Sequence, residues 1–200
     1  MTLNIFMQCE NISSLGPYSR YGIWFHGCDK HCKGCIYREK STTAYETVEV
    51  DALVEAVKST DGIEGVTISG GEPFLQPEGL LYLLKRLREE GLGVIVYTGR
   101  RLSEISENDR LSECLEYIDV LIDGEYIEEL DFNNSLIGSE NQVAHFLTDR
   151  YLEFSSLYGG RGHRRSEVRI SDNEICTVGI PTKEQQLILE AVFGWGKESK

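Results

Sequence analysis

No apolar run in these 200 residues approaches the roughly 18 positions of a membrane-spanning helix, so such a span is not expected. The N-terminal stretch "MTLNIFMQCENISS" also lacks the charged-then-apolar layout of a secretory signal. Basic residues are scarce, 20 Lys and Arg against 33 Asp and Glu, and the net charge of -13 repels phosphate backbones and anionic bilayers at long range. Neither nucleic acid nor a membrane is therefore expected as a partner. Internal repeats, low-complexity tracts and an obvious linker are missing too, which argues against a second independent domain. The cytoplasm is the expected compartment. In that reducing setting, clustered cysteines point to metal ligation or catalysis rather than to structural disulfides.

What is present is an alternation of strand-like and helix-like segments, the mark of parallel β/α architecture. "YGIWFHG" (21–27) reads as a buried first strand. Val50, Leu53, Val54 and Val57 fall at helical spacing and predict an amphipathic helix over 49–59. "GVTIS" (65–69) is a short β-branched strand that runs into "GGEPF". Pro77 opens a helix whose buried stripe is Leu80, Leu84 and Leu87 and whose stop is Gly91. "GVIVYTG" (93–99), a broken helical stretch over 103–116 and "YIDVLIDG" (117–124) complete the repeating pattern. Each strand ends in a polar or glycine-bearing turn, and in parallel β/α folds such turns open onto one face where ligands collect.

The expected fold class is α/β, a partial (β/α) TIM-like barrel over residues 1–155 with a small C-terminal hairpin-helix appendage over 156–200. The appendage is read from "SEVRISDNEICTVGIP", a β-hairpin turning at Asp172 and Asn173, and a closing helix over 182–193. "SLIGSENQVAHFL" (135–147) supplies a loop and a further strand or helix. "GGRGHRRSEVR" gathers Arg161, Arg164, Arg165 and Arg169 near His163; a solvated approach to the hairpin is the plain reading, a docking or phosphate-contacting loop the sharper one.

The chemistry concentrates in "HGCDKHCKGCIY" (26–37), where Cys28, Cys32 and Cys35 lie within eight residues. Three thiolates hold a soft metal centre, and by themselves leave zinc, with His26 or His31 as a fourth ligand, and iron-sulfur both open. Two features favour iron-sulfur: the spacing departs from the paired pattern of zinc ribbons, and the loop sits where a β/α barrel places its active site. A four-iron cube with three protein thiolates keeps one iron open to an exogenous ligand, as a catalytic site must. Cys9, Cys114 and Cys176 are scattered and read as small core residues.

Cys28-x3-Cys32-x2-Cys35 followed by "SGGEP" one β/α unit later resembles the radical S-adenosylmethionine enzymes. "GPYSRYGIWFHGCDKHCKGCIY", "ISGGEPFLQPEGLLYLLKRLR", "VIVYTGR", "IDVLIDGEYIEEL" and "GSENQ", in that order, are similar to one branch of them, the anaerobic ribonucleotide reductase activating enzymes. The likeness covers roughly the first three quarters of the chain. It implies a [4Fe-4S] cluster on Cys28, Cys32 and Cys35, whose open iron takes the amino and carboxylate groups of S-adenosyl-L-methionine. It implies that Ser69, Gly70, Gly71, Glu72 and Pro73 contact the methionine amino group, that Tyr37 lies near adenine, that Thr98 and Asp123 stand at strand-end turns around the cofactor, and that Asn141 and Gln142 match the family's serine-rich segment.

The same likeness implies reductive cleavage of the cofactor, with a flavodoxin or ferredoxin as reductant and a large glycyl-radical enzyme as partner. Departures are Ile36 where an aromatic is more usual, Glu140 in place of a serine and Ile137 where an arginine is common. Plainer roles stand beside these: Glu72 as a cap for the helix near Pro77, Asp123 as a turn residue, Trp24 and Phe25 as barrel core, His26 and His31 outside the ligand set. Radical modification of a peptide or other non-reductase substrate, and a non-catalytic metal-stabilised binding module, are the alternatives to activation of a reductase.

Overall fold

The computed structural model describes residues 1–37, 44–133, 135–159, 164–170 and 175–193. It forms a mixed α/β fold on an open seven-stranded sheet. Strand β1 (Thr2–Ile12) runs antiparallel to both β2 (Arg20–Phe25) and the edge strand β3 (Glu46–Glu49). Strands β2, β4 (Gly65–Gly70), β5 (Gly93–Tyr97) and β6 (Val120–Asp123) are parallel neighbours, and β7 (Val143–Phe146) closes the other edge antiparallel to β6. The spatial order β3-β1-β2-β4-β5-β6-β7 leaves both edges apart, so the sheet does not close into a barrel. The strand predicted as first is in fact second. β1 precedes it, and its burial is only partial, so its sequence carries a weak signal.

Period-two alternation sends the strand residues to two faces. Tyr21, Ile23 and Phe25 of β2, with Val66, Ile68, Val94, Val96 and Leu121, share one core with helix α1 (Val50–Ser59) and helix α2 (Pro77–Glu89). Both helices follow the predicted apolar stripes, and the positive φ of Gly91 (73°) ends the second. The broken stretch resolves into a short helix α3 (Leu102–Ser106) and a 3-10 turn over Ser112–Tyr117. Phe25 and Cys114 are fully buried in this core, as their sequence reading expects.

The opposite face is covered without long helices. Ile95, Val120 and Ile122 meet Leu136, Tyr151 and Tyr158 there, while Ile12 and Leu15 pack with Val178. Val178 belongs to a separate two-stranded hairpin, β8 (Ser166–Ile170) with β9 (Ile175–Gly179), which helix α4 (Lys183–Phe193) follows. The hairpin turn at Asp172 and Asn173, and Arg161 and His163, lie outside the described residues.

Arg20 locks the starting ends of the parallel strands. Its side chain is wholly buried, and the guanidinium donates to Thr67 Oγ1 (2.7 Å), the carbonyls of Val66 (2.7 Å) and Gly93 (3.0 Å), Tyr151 OH (2.9 Å) and Glu64 Oε2 (3.1 Å). One side chain thus ties β2, β4 and β5 to the Tyr151 segment. Removing it strands several buried acceptors, each expensive without a partner. Arg20→Met is expected to lower unfolding free energy by about 3 kcal/mol or more in urea denaturation.

Candidate active site

The finishing ends of the parallel strands surround a cavity of about 260 Å³. Cys28, Cys32 and Cys35 line it, together with Tyr37, Ser69, Gly70, Gly71, Glu72 and Thr98 of the sequence-predicted set. Pro73, Asp123 and Asn141 do not. Pro73 is buried at the start of a 3-10 turn (Pro73–Leu75). Asp123 Oδ2 accepts from the Leu102 amide (2.6 Å) and lies 3.1 Å from His145 Nε2, so its carboxylate anchors α3 and β7. Asn141 is exposed and donates to the Glu125 carbonyl (2.7 Å). Its neighbour Gln142 reaches the cavity instead, accepting from the Gly138 amide (2.8 Å) and donating to the Gly124 carbonyl (2.8 Å).

The cysteine loop leaves β2 through Gly27, whose φ of 90° suits glycine. Opposite charges hold it against the turns after β5 and β6. Asp29 pairs with Arg100 (2.9 Å), Lys30 with Glu125 (3.1 Å), and Lys33 with Glu128 (3.1 Å) and Glu129 (3.2 Å). All three thiols are free and half-buried. Burial, aided by Glu72, Cys35 and Asp29 and opposed by the Lys30 amide, pushes the Cys28 thiol up to about 11. The Cys32 thiol is raised chiefly by burial, against a hydrogen bond from the Tyr126 amide.

The "SGGE" segment extends the β2–β4 pairing past the ends of both strands. The Gly71 amide donates to the Phe25 carbonyl (2.9 Å) and the Glu72 amide to that of Gly27 (2.8 Å). Contact is so close that a Cβ on Gly71 would stand 1.9 Å from the Gly27 carbonyl oxygen. The Glu72 carboxylate is fully buried. Oε1 accepts from the Phe74 amide (3.0 Å) and Thr98 Oγ1 (2.8 Å), and Oε2 from the Gly99 amide (2.9 Å). Desolvation raises its pKa against the pull of these three donors. Glu72 therefore does cap a turn, the one at Pro73–Leu75, and at the same time fastens the end of β5 to the end of β4.

Trp24 lines the cavity rather than lying in the helix-side core, because it occupies the opposite phase of β2 from Phe25. Tyr37 is buried and meets Phe6 edge to face at 5.5 Å. Sequence reasoning missed Tyr126, and it missed the C-terminal contributions of Thr177, Gly179, Ile180 and Gln186. A strand pattern announces that a hairpin exists, not the surface it packs against.

Comparison with known proteins places a 4Fe-4S single cluster domain over residues 14–145. The chain is 35% identical over 142 residues to the anaerobic ribonucleoside-triphosphate reductase-activating protein of Haemophilus influenzae, covering 65% of this chain and 89% of that protein. It is 33% identical over 144 residues to the protein of that name from Vibrio cholerae, covering 66% and 91%. The chain belongs to this activating-protein family. It also shares 33% identity over 79 residues with an L-lysine 2,3-aminomutase of Acetoanaerobium sticklandii, 38% of this chain and 19% of that enzyme.

The residues fit the cluster of the activating-protein family. Three soft thiols border one cavity, a donor set suited to iron-sulfur ligation. Two outcomes are expected. Gly71→Ala should cost about 1–3 kcal/mol in urea denaturation by forcing the two loops apart. Unfolded thiols ionise near pH 9 while that of Cys28 keeps its proton to about 11, so the cluster-free chain should lose stability as pH rises through this window. Cys28→Ser should flatten that loss in denaturation midpoints compared on either side of pH 9.

Proposed function

We propose that this protein is a radical S-adenosylmethionine enzyme that installs a glycyl radical on an anaerobic ribonucleotide reductase. The observation that carries the reading is the convergence of Cys28, Cys32 and Cys35, the 69–72 segment and Thr98 on one cavity, in a chain of the activating-protein family. The open sheet serves as a partial TIM-like barrel, with its chemistry at the finishing ends of the parallel strands. Cys28, Cys32 and Cys35 would hold three irons of a [4Fe-4S] cluster. When bound, the cluster and S-adenosyl-L-methionine supply a one-electron cleavage of the sulfonium that yields methionine and a 5′-deoxyadenosyl radical.

The chain's own residues bind and orient. Gly70 and Gly71 bring bare backbone to the cavity wall, where strand-end carbonyls accept from an ammonium group. Glu72 adds negative charge behind that wall and holds it in place through Thr98 and Gly99. Tyr37 offers an aromatic edge for the adenine, and Ser69 a hydroxyl. Asp123 and Asn141 act from behind, fixing α3 and the turn that carries Gly124 and Gln142. The electron comes from a flavodoxin or ferredoxin, the compartment is the cytoplasm, and the partner is a large glycyl-radical enzyme.

The test is anaerobic reconstitution with iron and sulfide, then dithionite and S-adenosylmethionine. Release of 5′-deoxyadenosine is expected, and with the reductase present a glycyl doublet in electron paramagnetic resonance. Cys32→Ala should lose iron and cleavage together. Stoichiometric zinc with no cleavage would overturn the reading.

A further inference from the structure

The family match ends at residue 145, yet the cavity does not. Thr177 and Gly179 of β9, Ile180 after it and Gln186 of α4 line the same space as the three cysteines. They share the cavity lining with Met7, Leu15, Trp24 and Tyr97, and Ile180 packs on the cluster of Ile12, Leu15 and the buried Val178. The C-terminal segment thus supplies one side of the site.

That side is built to stay in place. The side chain of Arg164, within the basic stretch read as solvated, is almost wholly buried. It pairs with Asp131 (2.8 Å) and donates to Asn133 Oδ1 (2.7 Å) and the carbonyls of Gly138 (3.0 Å) and Ile137 (3.3 Å). Asp131 accepts in turn from Tyr126 OH (3.0 Å), and both line the cavity. Farther along, Glu167 Oε1 accepts from the Ser13 amide (2.7 Å) and Arg169 donates to the Asn11 carbonyl (2.7 Å). At Gly179, with φ of 100°, a Cβ would meet the Arg165 carbonyl at 2.5 Å and Ser14 at 2.8 Å, so the end of β9 packs tightly against the loop between β1 and β2.

Three of the charged side chains bordering the cavity are paired within the protein. Lys30 is paired with Glu125, Glu72 with its three donors, and Asp131 with Arg164 and Tyr126. The C-terminal side offers instead a hydroxyl, an apolar surface and a carboxamide. A carboxamide carries both a donor and an acceptor, the complement of an extended peptide backbone.

We propose that the hairpin and α4 form the substrate-selecting wall, with Thr177, Ile180 and Gln186 contacting the extended polypeptide segment that carries the reactive glycine. This rests on the activating-enzyme reading above and names what that site admits. Glycine suits the place because a segment lacking one side chain passes closest to the cavity wall. The wall is a specificity determinant: it selects the polypeptide and performs none of the bond-breaking.

The test uses the full-length chain and its cognate anaerobic ribonucleoside-triphosphate reductase. Affinity is read by biolayer interferometry without reductant, and glycyl-radical yield by electron paramagnetic resonance after reconstitution. Gln186→Ala and Ile180→Trp are each expected to weaken binding by about tenfold or more, the scale of one central interface residue, with radical yield falling alongside. Ile188→Ser, on the exposed side of α4 and outside the cavity, should bind as the unmodified chain does. If Ile180→Trp unfolds, the near-isosteric Thr177→Val takes its place. Unchanged reductase affinity in the cavity variants overturns the inference, as does a loss confined to S-adenosylmethionine affinity or an equal loss in Ile188→Ser. Failure of the unmodified chain to release 5′-deoxyadenosine counts instead against the activating-enzyme reading, so the two failures are distinguishable.

Discussion

One buried carboxylate organises the mouth of this protein. Glu72 accepts from the Phe74 amide, the Thr98 hydroxyl and the Gly99 amide while being withdrawn from solvent. Burying such a group is costly unless donors compensate it, so the three donors and the acceptor constrain each other mutually. The turn after β4 and the turn after β5 cannot drift independently. Through Gly71 and the Glu72 amide, the same segment is also bonded to the end of β2, from which the cysteine loop departs. Three chemical loops are thereby held in one frame by a residue whose own contacts are all to protein.

Electrostatics extends that frame outward. The cysteine loop carries Asp29, Lys30 and Lys33, each matched across the cavity rim by Arg100, Glu125 or the Glu128–Glu129 pair. Each pair is individually modest where exposed. Their common direction matters more than their separate strengths, because all of them draw the thiol-bearing loop toward the turns after β5 and β6.

Much of this architecture was legible in sequence because its signals are local. Helices α1 and α2 follow apolar spacing, and β4, β5 and β6 are short apolar runs bounded by turn residues. The cysteines and "SGGE" carry their meaning in residue type and spacing. What escaped were relations between distant segments. β1 is buried at only three of its eleven positions and reads weakly as a strand. Trp24 differs from Phe25 only in phase, so which of them meets the cavity depends on which sheet face the helices cover. The partners of Asp123, Asn141 and Arg164 could not be read for the same reason: Leu102 and His145, Glu125, and Asp131 lie many positions away.

Arg20 gives the fold a division of labour. Its guanidinium gathers the beginnings of β2, β4 and β5, at the far end of those strands from the thiols. Cohesion is thus concentrated where no chemistry occurs. The cavity rim and the C-terminal segment that lines it take none of that anchor's hydrogen bonds. A scaffold fastened at its base tolerates remodelling at its opening, which is how one sheet can serve partners of different shape.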